Sequence, residues 1–65
     1  MRHLIAYTNA IRLAKRLNNG TDTVSAILRR FPASTLEDGC IYFRIGWKVR
    51  LLRGATGRWL VEEIP

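Results

Sequence analysis

The apolar residues of this chain keep one period up to residue 31 and another from residue 40 onward. Before the change they recur at three- and four-residue steps, which lines one face of a helix. After it they alternate, which lines one face of a strand. A chain of 65 residues with a single switch of this kind has room for one α+β domain, helices first, and little else. A domain so small buries only roughly 60% of the surface its unfolded chain exposes, which leaves a thin core. Enclosing a small-molecule pocket of roughly 300–1,000 Å³ is hard at that size, so length alone favours a binding module over an enzyme.

Leu4, Tyr7, Ile11, Ala14 and Leu17 form the first stripe and predict a helix over about residues 3–18. Lys15 and Arg16 fall in its last turn, where cations suit the macrodipole. Asn18-Asn19-Gly20 follows, and both residue types tolerate a left-handed C-cap. Residues 2–8 are open to a second reading, a short strand followed by a helix that Asn9 caps. Thr21, Asp22 and Thr23 can each cap a second helix, expected over about residues 23–31 with Val24, Ile27, Leu28 and Phe31 on its apolar face. Pro32 ends it. Residues 33–39 read as a polar connection in which Asp38-Gly39 signals a turn.

The alternating half predicts strands over about residues 40–45, 48–53 and 58–63. A two-residue loop at Gly46-Trp47 would set Phe43 opposite Arg50 and carry a charge into the core. A three-residue loop or a bulge sets Ile45 opposite Val49 and Phe43 opposite Leu51, and keeps the core dry. The same parity gives the 54–57 turn an odd loop and aligns Trp59 and Val61 with Leu51 and Val49. The expected fold is therefore α+β, with two N-terminal helices packed on one face of a three-stranded antiparallel sheet.

Eleven Lys and Arg against five Asp and Glu give a net charge of +6. Residues 1–36 carry six of the cations with only Asp22 against them, and residues 40–58 carry five with no acid. Nine of the eleven are Arg, the side chain that forks onto phosphate or carboxylate and stacks on planar groups. An acidic partner is implied, and nucleic acid is the commonest. The chain has a single cysteine, Cys40, which excludes an intrachain disulfide and fits a reducing, cytoplasmic setting. No stretch approaches the ~20 apolar residues of a membrane span, and Leu4-Ile5-Ala6-Tyr7 is too short for a signal peptide core. His3, the only histidine, reads as a surface residue. One His and one Cys do not make a metal site, and no cofactor is expected. Glu37-Asp38 and Glu62-Glu63 are adjacent acids whose side chains point apart, and Gly54-Ala55-Thr56-Gly57 joins strands instead of opening a phosphate-binding helix.

Two short helices cover one face of the sheet. The other face is expected to show Tyr42, Arg44, Arg50, Leu52, Arg58 and Leu60, an apolar and aromatic surface ringed by Arg of the kind that holds single-stranded nucleic acid. Trp47, in the first hairpin turn, has no obvious core position and is a candidate contact, with Lys48 and Arg53 extending the set. Arg12, Lys15, Arg16, Arg29 and Arg30 make a second candidate patch on the helices. The expected function is that of a non-catalytic basic module that binds nucleic acid or a nucleoprotein complex; the alternative is an inhibitor whose cationic face meets an acidic protein surface. Repulsion among Arg44, Arg50 and Arg58 across a twofold axis implies a monomer or a weak, salt-strengthened homodimer.

Residues 8–31, with their helix–turn–helix outline, and residues 40–63, placed as a wing, resemble small winged DNA-binding proteins such as phage excisionases and Cro-like repressors. The base-reading half of a recognition helix would here hold Thr23, Ser25 and Ala26, with the arginines at its far end. Ala14-Lys15-Arg16, Phe43-Arg44-Ile45 and Gly57-Arg58-Trp59-Leu60-Val61 resemble, in layout, elements of small phage anti-CRISPR proteins. That resemblance implies a phage or mobile-element protein that blocks a nucleic-acid-guided host complex by occupying its surface.

Overall fold

The computed structural model describes the backbone of residues 2–65 and the side chains of residues 6–65. The expectations for Leu4 and His3 lie outside the described side chains. The first helix, α1, spans Arg2–Asn18, so residues 2–8 are helix and not strand. Its buried face is Ala6, Ala10, Leu13 and Ala14, while Ile11, expected in the stripe, is 36% exposed. Three alanines let the helix axis come close to the sheet, and the contact line follows them while the larger Tyr7 and Leu17 pack partly from the flanks.

The end of α1 obeys the glycine rule. Gly20 has φ +74°, its N–H donates to the Leu17 carbonyl at 3.2 Å, and the Thr21 N–H donates to that of Arg16 at 2.9 Å. This paired closure is a Schellman motif, which needs the left-handed residue that glycine supplies. The second helix, α2, spans Val24–Arg30 with Thr23 as its N-cap. The Thr23 hydroxyl accepts from the Ala26 N–H at 3.1 Å. The helix stops at Phe31, before Pro32.

Four strands follow, not three: β1 (Thr35–Glu37), β2 (Cys40–Phe43), β3 (Val49–Arg53) and β4 (Trp59–Glu63), paired antiparallel in chain order. The extra strand comes from Asp38-Gly39, which forms a complete two-residue hairpin turn with φ +52° and +77°. Both values lie in the left-handed region, as a turn matched to strand twist demands. Thr35, Leu36 and Glu37 then pair with Tyr42, Ile41 and Cys40.

The parity of the other two hairpins is as expected, but each register is displaced by two residues. Phe43 pairs with Val49 and Ile41 with Leu51; Val61 pairs with Leu51 and Trp59 with Arg53. A two-residue slide leaves every side chain on its own face, so alternation cannot distinguish the two registers. Turn geometry decides between them. Residues 44–48 form a wide turn with Gly46 at φ +86° and Lys48 at +54°, which releases Ile45 to 76% exposure. The second turn closes with a Gly57 N–H to Gly54 carbonyl bond at 3.0 Å and Gly57 at φ +83°, a three-residue loop with a left-handed last position.

The core lies between the helices and the inner sheet face. Ile27, Ile41 and Leu51 are fully buried, with Val49, Phe43 and Trp59 beside them. The α1 helix runs over β3 and β4, and Asn18 fastens it there. Its side-chain amide donates to the Trp59 carbonyl at 3.2 Å, and its oxygen accepts from the Trp59 N–H at 2.7 Å. Asn18 thus satisfies both backbone groups of an edge-strand residue, as a neighbouring strand would.

Candidate nucleic-acid interface

Four of the expected binding residues converge on one groove. Arg12 and Arg16 lie one turn apart on α1, Arg30 ends α2, and Trp47 reaches over from the β2–β3 turn. With Asn9, Leu13 and Phe31 they line a groove of about 540 Å³, and none of its lining residues is acidic. Trp47 has a core-supported position after all. Its ring centroid lies 4.9 Å from that of Phe43 and 5.4 Å from that of Phe31, and Phe31 meets Phe43 edge-on at 5.5 Å. The half-buried Trp47 is therefore held against the core by two rings, and the wide turn is what lets it reach them.

Arg30, Phe31 and Trp47 also border a smaller cleft of about 200 Å³ with Pro32, Phe43 and Ile45 among its other walls. Groove and cleft thus share three side chains. The Arg30 guanidinium carbon stands 5.7 Å from the Phe31 ring centroid.

Asp22 holds two of the three groove arginines. Its Oδ2 accepts from Arg30 Nη2 at 2.5 Å and from Arg16 Nε at 3.4 Å, while Oδ1 accepts from the Thr23 N–H at 3.0 Å. The carboxylate is 4% exposed against 47% and 49% for its arginines. Burial pushes its pKa up, but the Thr23 N–H and then the two guanidiniums outweigh that and hold it below the ordinary aspartate value. Arg12 makes no ion pair among the described residues.

The outer sheet face carries a different arrangement. Tyr42, Arg50 and Glu62 stand in one cross-strand row. Arg50 Nε donates to Glu62 at 2.6 Å, and its Nη1 donates to the Tyr42 hydroxyl at 3.0 Å. Arg44 lies 4.2 Å over the Tyr42 ring and forks onto Glu37 with both terminal nitrogens. Hydrogen bonding to Arg44, and then to Thr35, lowers the pKa of Glu37. The Tyr42 hydroxyl and then Glu62 raise that of Arg50. The two arginines of this face are matched by two glutamates.

The remaining expected residues scatter. Arg58, expected on the outer face, lies in the turn before β4 and borders a separate groove with Lys15, Tyr7 and Asn18. Arg53 shares the inner face with Trp59 and sits 5.1 Å over its ring. Arg29 and Lys48 are exposed and make no ion pair among the described residues. The helical patch is therefore divided, with Arg12, Arg16 and Arg30 in one groove, Lys15 in another and Arg29 in neither. Sequence reasoning missed Phe31 and Ile45 as wall residues, because their periodicity marked them as core. It missed Glu37 as a partner because the unrecognised β1 hid it from Arg44, and the displaced register hid the place of Glu62 opposite Arg50.

Among the described residues, no three His, Cys, Asp or Glu side chains converge as a metal site would require, and no helix is long and apolar enough to cross a membrane. No protein-family model, curated protein or solved structure matches the chain.

Proposed function

We propose that this protein is a small, non-catalytic nucleic-acid-binding module that holds a phosphate backbone along Arg12, Arg16 and Arg30. The observation that carries the proposal is the convergence of these three arginines on one groove with an aromatic wall and no acidic lining. Arginine suits the task because its planar fork presents paired donors to phosphate oxygens. Asp22 leaves the groove cationic, since one carboxylate stands against three guanidiniums, and it orients two of them before a ligand arrives.

Binding of this kind releases counterions and is therefore steeply dependent on salt. Three phosphate contacts correspond to a log–log slope of about −2 to −3, depending on strandedness. Fluorescence anisotropy with labelled DNA and RNA strands, at low and moderate salt, should show that slope. Arg12→Glu, which reverses an unpaired groove charge, should weaken binding at least tenfold. Absence of binding to either nucleic acid at low salt would overturn the proposal. If the protein instead captured an acidic protein surface of a nucleoprotein complex, with no affinity for the naked strand, the inhibitor reading would replace it.

A further inference from the structure

We infer that the nucleic acid this module takes is single-stranded, with one unstacked base lodged in the cleft beside the arginine groove; the inference rests on the nucleic-acid reading above. Arg30 borders both compartments, and Phe31 and Trp47 form walls of each. A phosphate held on Arg30 therefore leaves its own base within reach of the cleft. The cleft holds about 200 Å³ and is walled by Phe31, Pro32, Phe43, Ile45 and Trp47, apolar surfaces that match the planar face of a base.

Ile45 adds a second, independent observation. It is 76% exposed, although the wide turn that displays it packs its neighbour Trp47 against the core. A large apolar side chain at the mouth of an apolar cleft gains cover when a base enters. A duplex keeps its bases stacked on one another and cannot use this cleft. It also reads best against a protruding helix or ribbon, whereas these arginines line a recess between two helices and a turn. The ligand is thus recognised by phosphate on Arg12, Arg16 and Arg30 and by stacking or edge contact on the aromatic wall, an arrangement tolerant of sequence.

The test uses the full chain and three probes: a labelled oligothymidylate strand, its abasic analogue with the same phosphates, and the corresponding duplex. The intact strand should bind about tenfold more tightly than either of the others, and it alone should quench tryptophan emission. Ile45→Ser, at an exposed position outside the core, should reduce that preference to less than about threefold while leaving duplex affinity and the unfolding midpoint unchanged. Equal affinity for intact and abasic strands, or a duplex that matches the intact strand, overturns this inference and leaves the phosphate groove standing. A preference that persists unchanged in Ile45→Ser places the base elsewhere and overturns the cleft assignment. Failure of all three probes to bind, with no binding of an oligouridylate strand at low salt either, overturns the inference and the proposed function together.

Discussion

The outer sheet face and the helix–turn groove are built from much the same side chains, arginines set around aromatic rings, yet they differ in what those arginines still have to offer. On the sheet, Arg44 and Arg50 are each engaged by a glutamate and by Tyr42. In the groove, Arg12 has no acidic partner among the described residues, and Arg16 and Arg30 share the single carboxylate of Asp22. Strand pairing places Glu62 opposite Arg50, and the β1–β2 hairpin brings Glu37 to Arg44, so the outer sheet face neutralises its own two arginines. The helices concentrate acid at one position and leave a surplus of positive charge. A count of basic residues does not locate an electrostatic footprint; the pattern of partners does.

The aromatic members of the two regions should separate most clearly. Trp47→Ala removes a ring packed on Phe31 and Phe43 and should cost about 3 kcal/mol in urea unfolding. Tyr42→Ala, on the open face, should cost about 1 kcal/mol. Equal costs would mean that the outer face is as structural as the groove wall. Asn18→Ala sharpens the contrast from the helix side, since it frees α1 from Trp59 and leaves two backbone groups unpaired. It should lower stability by about 2 kcal/mol and weaken groove binding, because α1 carries Arg12 and Arg16.

Asp22→Asn should act in two directions, raising nucleic-acid affinity severalfold while lowering the unfolding temperature. It should also alter the acid limb of stability. Asp22 is more acidic in the folded protein than in the unfolded chain. Its stabilisation is therefore complete above the unfolded value of about 3.9 and is lost as pH falls through the folded value. Below about pH 4 the wild type should thus lose more stability than Asp22→Asn, read by circular dichroism melts across that range. Glu37 is shifted in the same direction, but its pair with Arg44 is open to water, and Glu37→Gln should change the melting curve less than Asp22→Asn. Smallest of all, the double variant Arg44→Ala, Arg50→Ala should change strand affinity less than about twofold, since both charges are already matched.

Much of this architecture is legible in the residues. The switch of period at Cys40, the Asn18-Asn19-Gly20 stop and the Thr23 cap mark the helices, and alternation puts Ile41, Phe43, Val49 and Leu51 on one face. What was hidden has physical causes. Thr35-Leu36-Glu37 is too short to show a period, although the Asp38-Gly39 turn beside it is a strong hairpin signal. The two-residue register shift is invisible to alternation and depends on where Trp47 finds its packing. The groove joins two helices and a turn from distant parts of the chain, so its composition was apparent in Arg12, Arg16, Arg30 and Trp47 but its grouping was not. Asn18 looked like a helix terminator, and its bracket to Trp59 is a tertiary contact that no local pattern announces.

The proposed interface is the groove of Arg12, Arg16 and Arg30 and not the outer sheet face. The most direct test is the salt dependence of strand binding measured side by side for the wild type, Arg12→Ala and Arg44→Ala. Loss of one phosphate contact should make the slope shallower by about 0.7 for a single strand. That change is expected in Arg12→Ala, with an unchanged slope in Arg44→Ala. A slope that falls in Arg44→Ala and holds in Arg12→Ala would contradict it and move the interface to the outer sheet face.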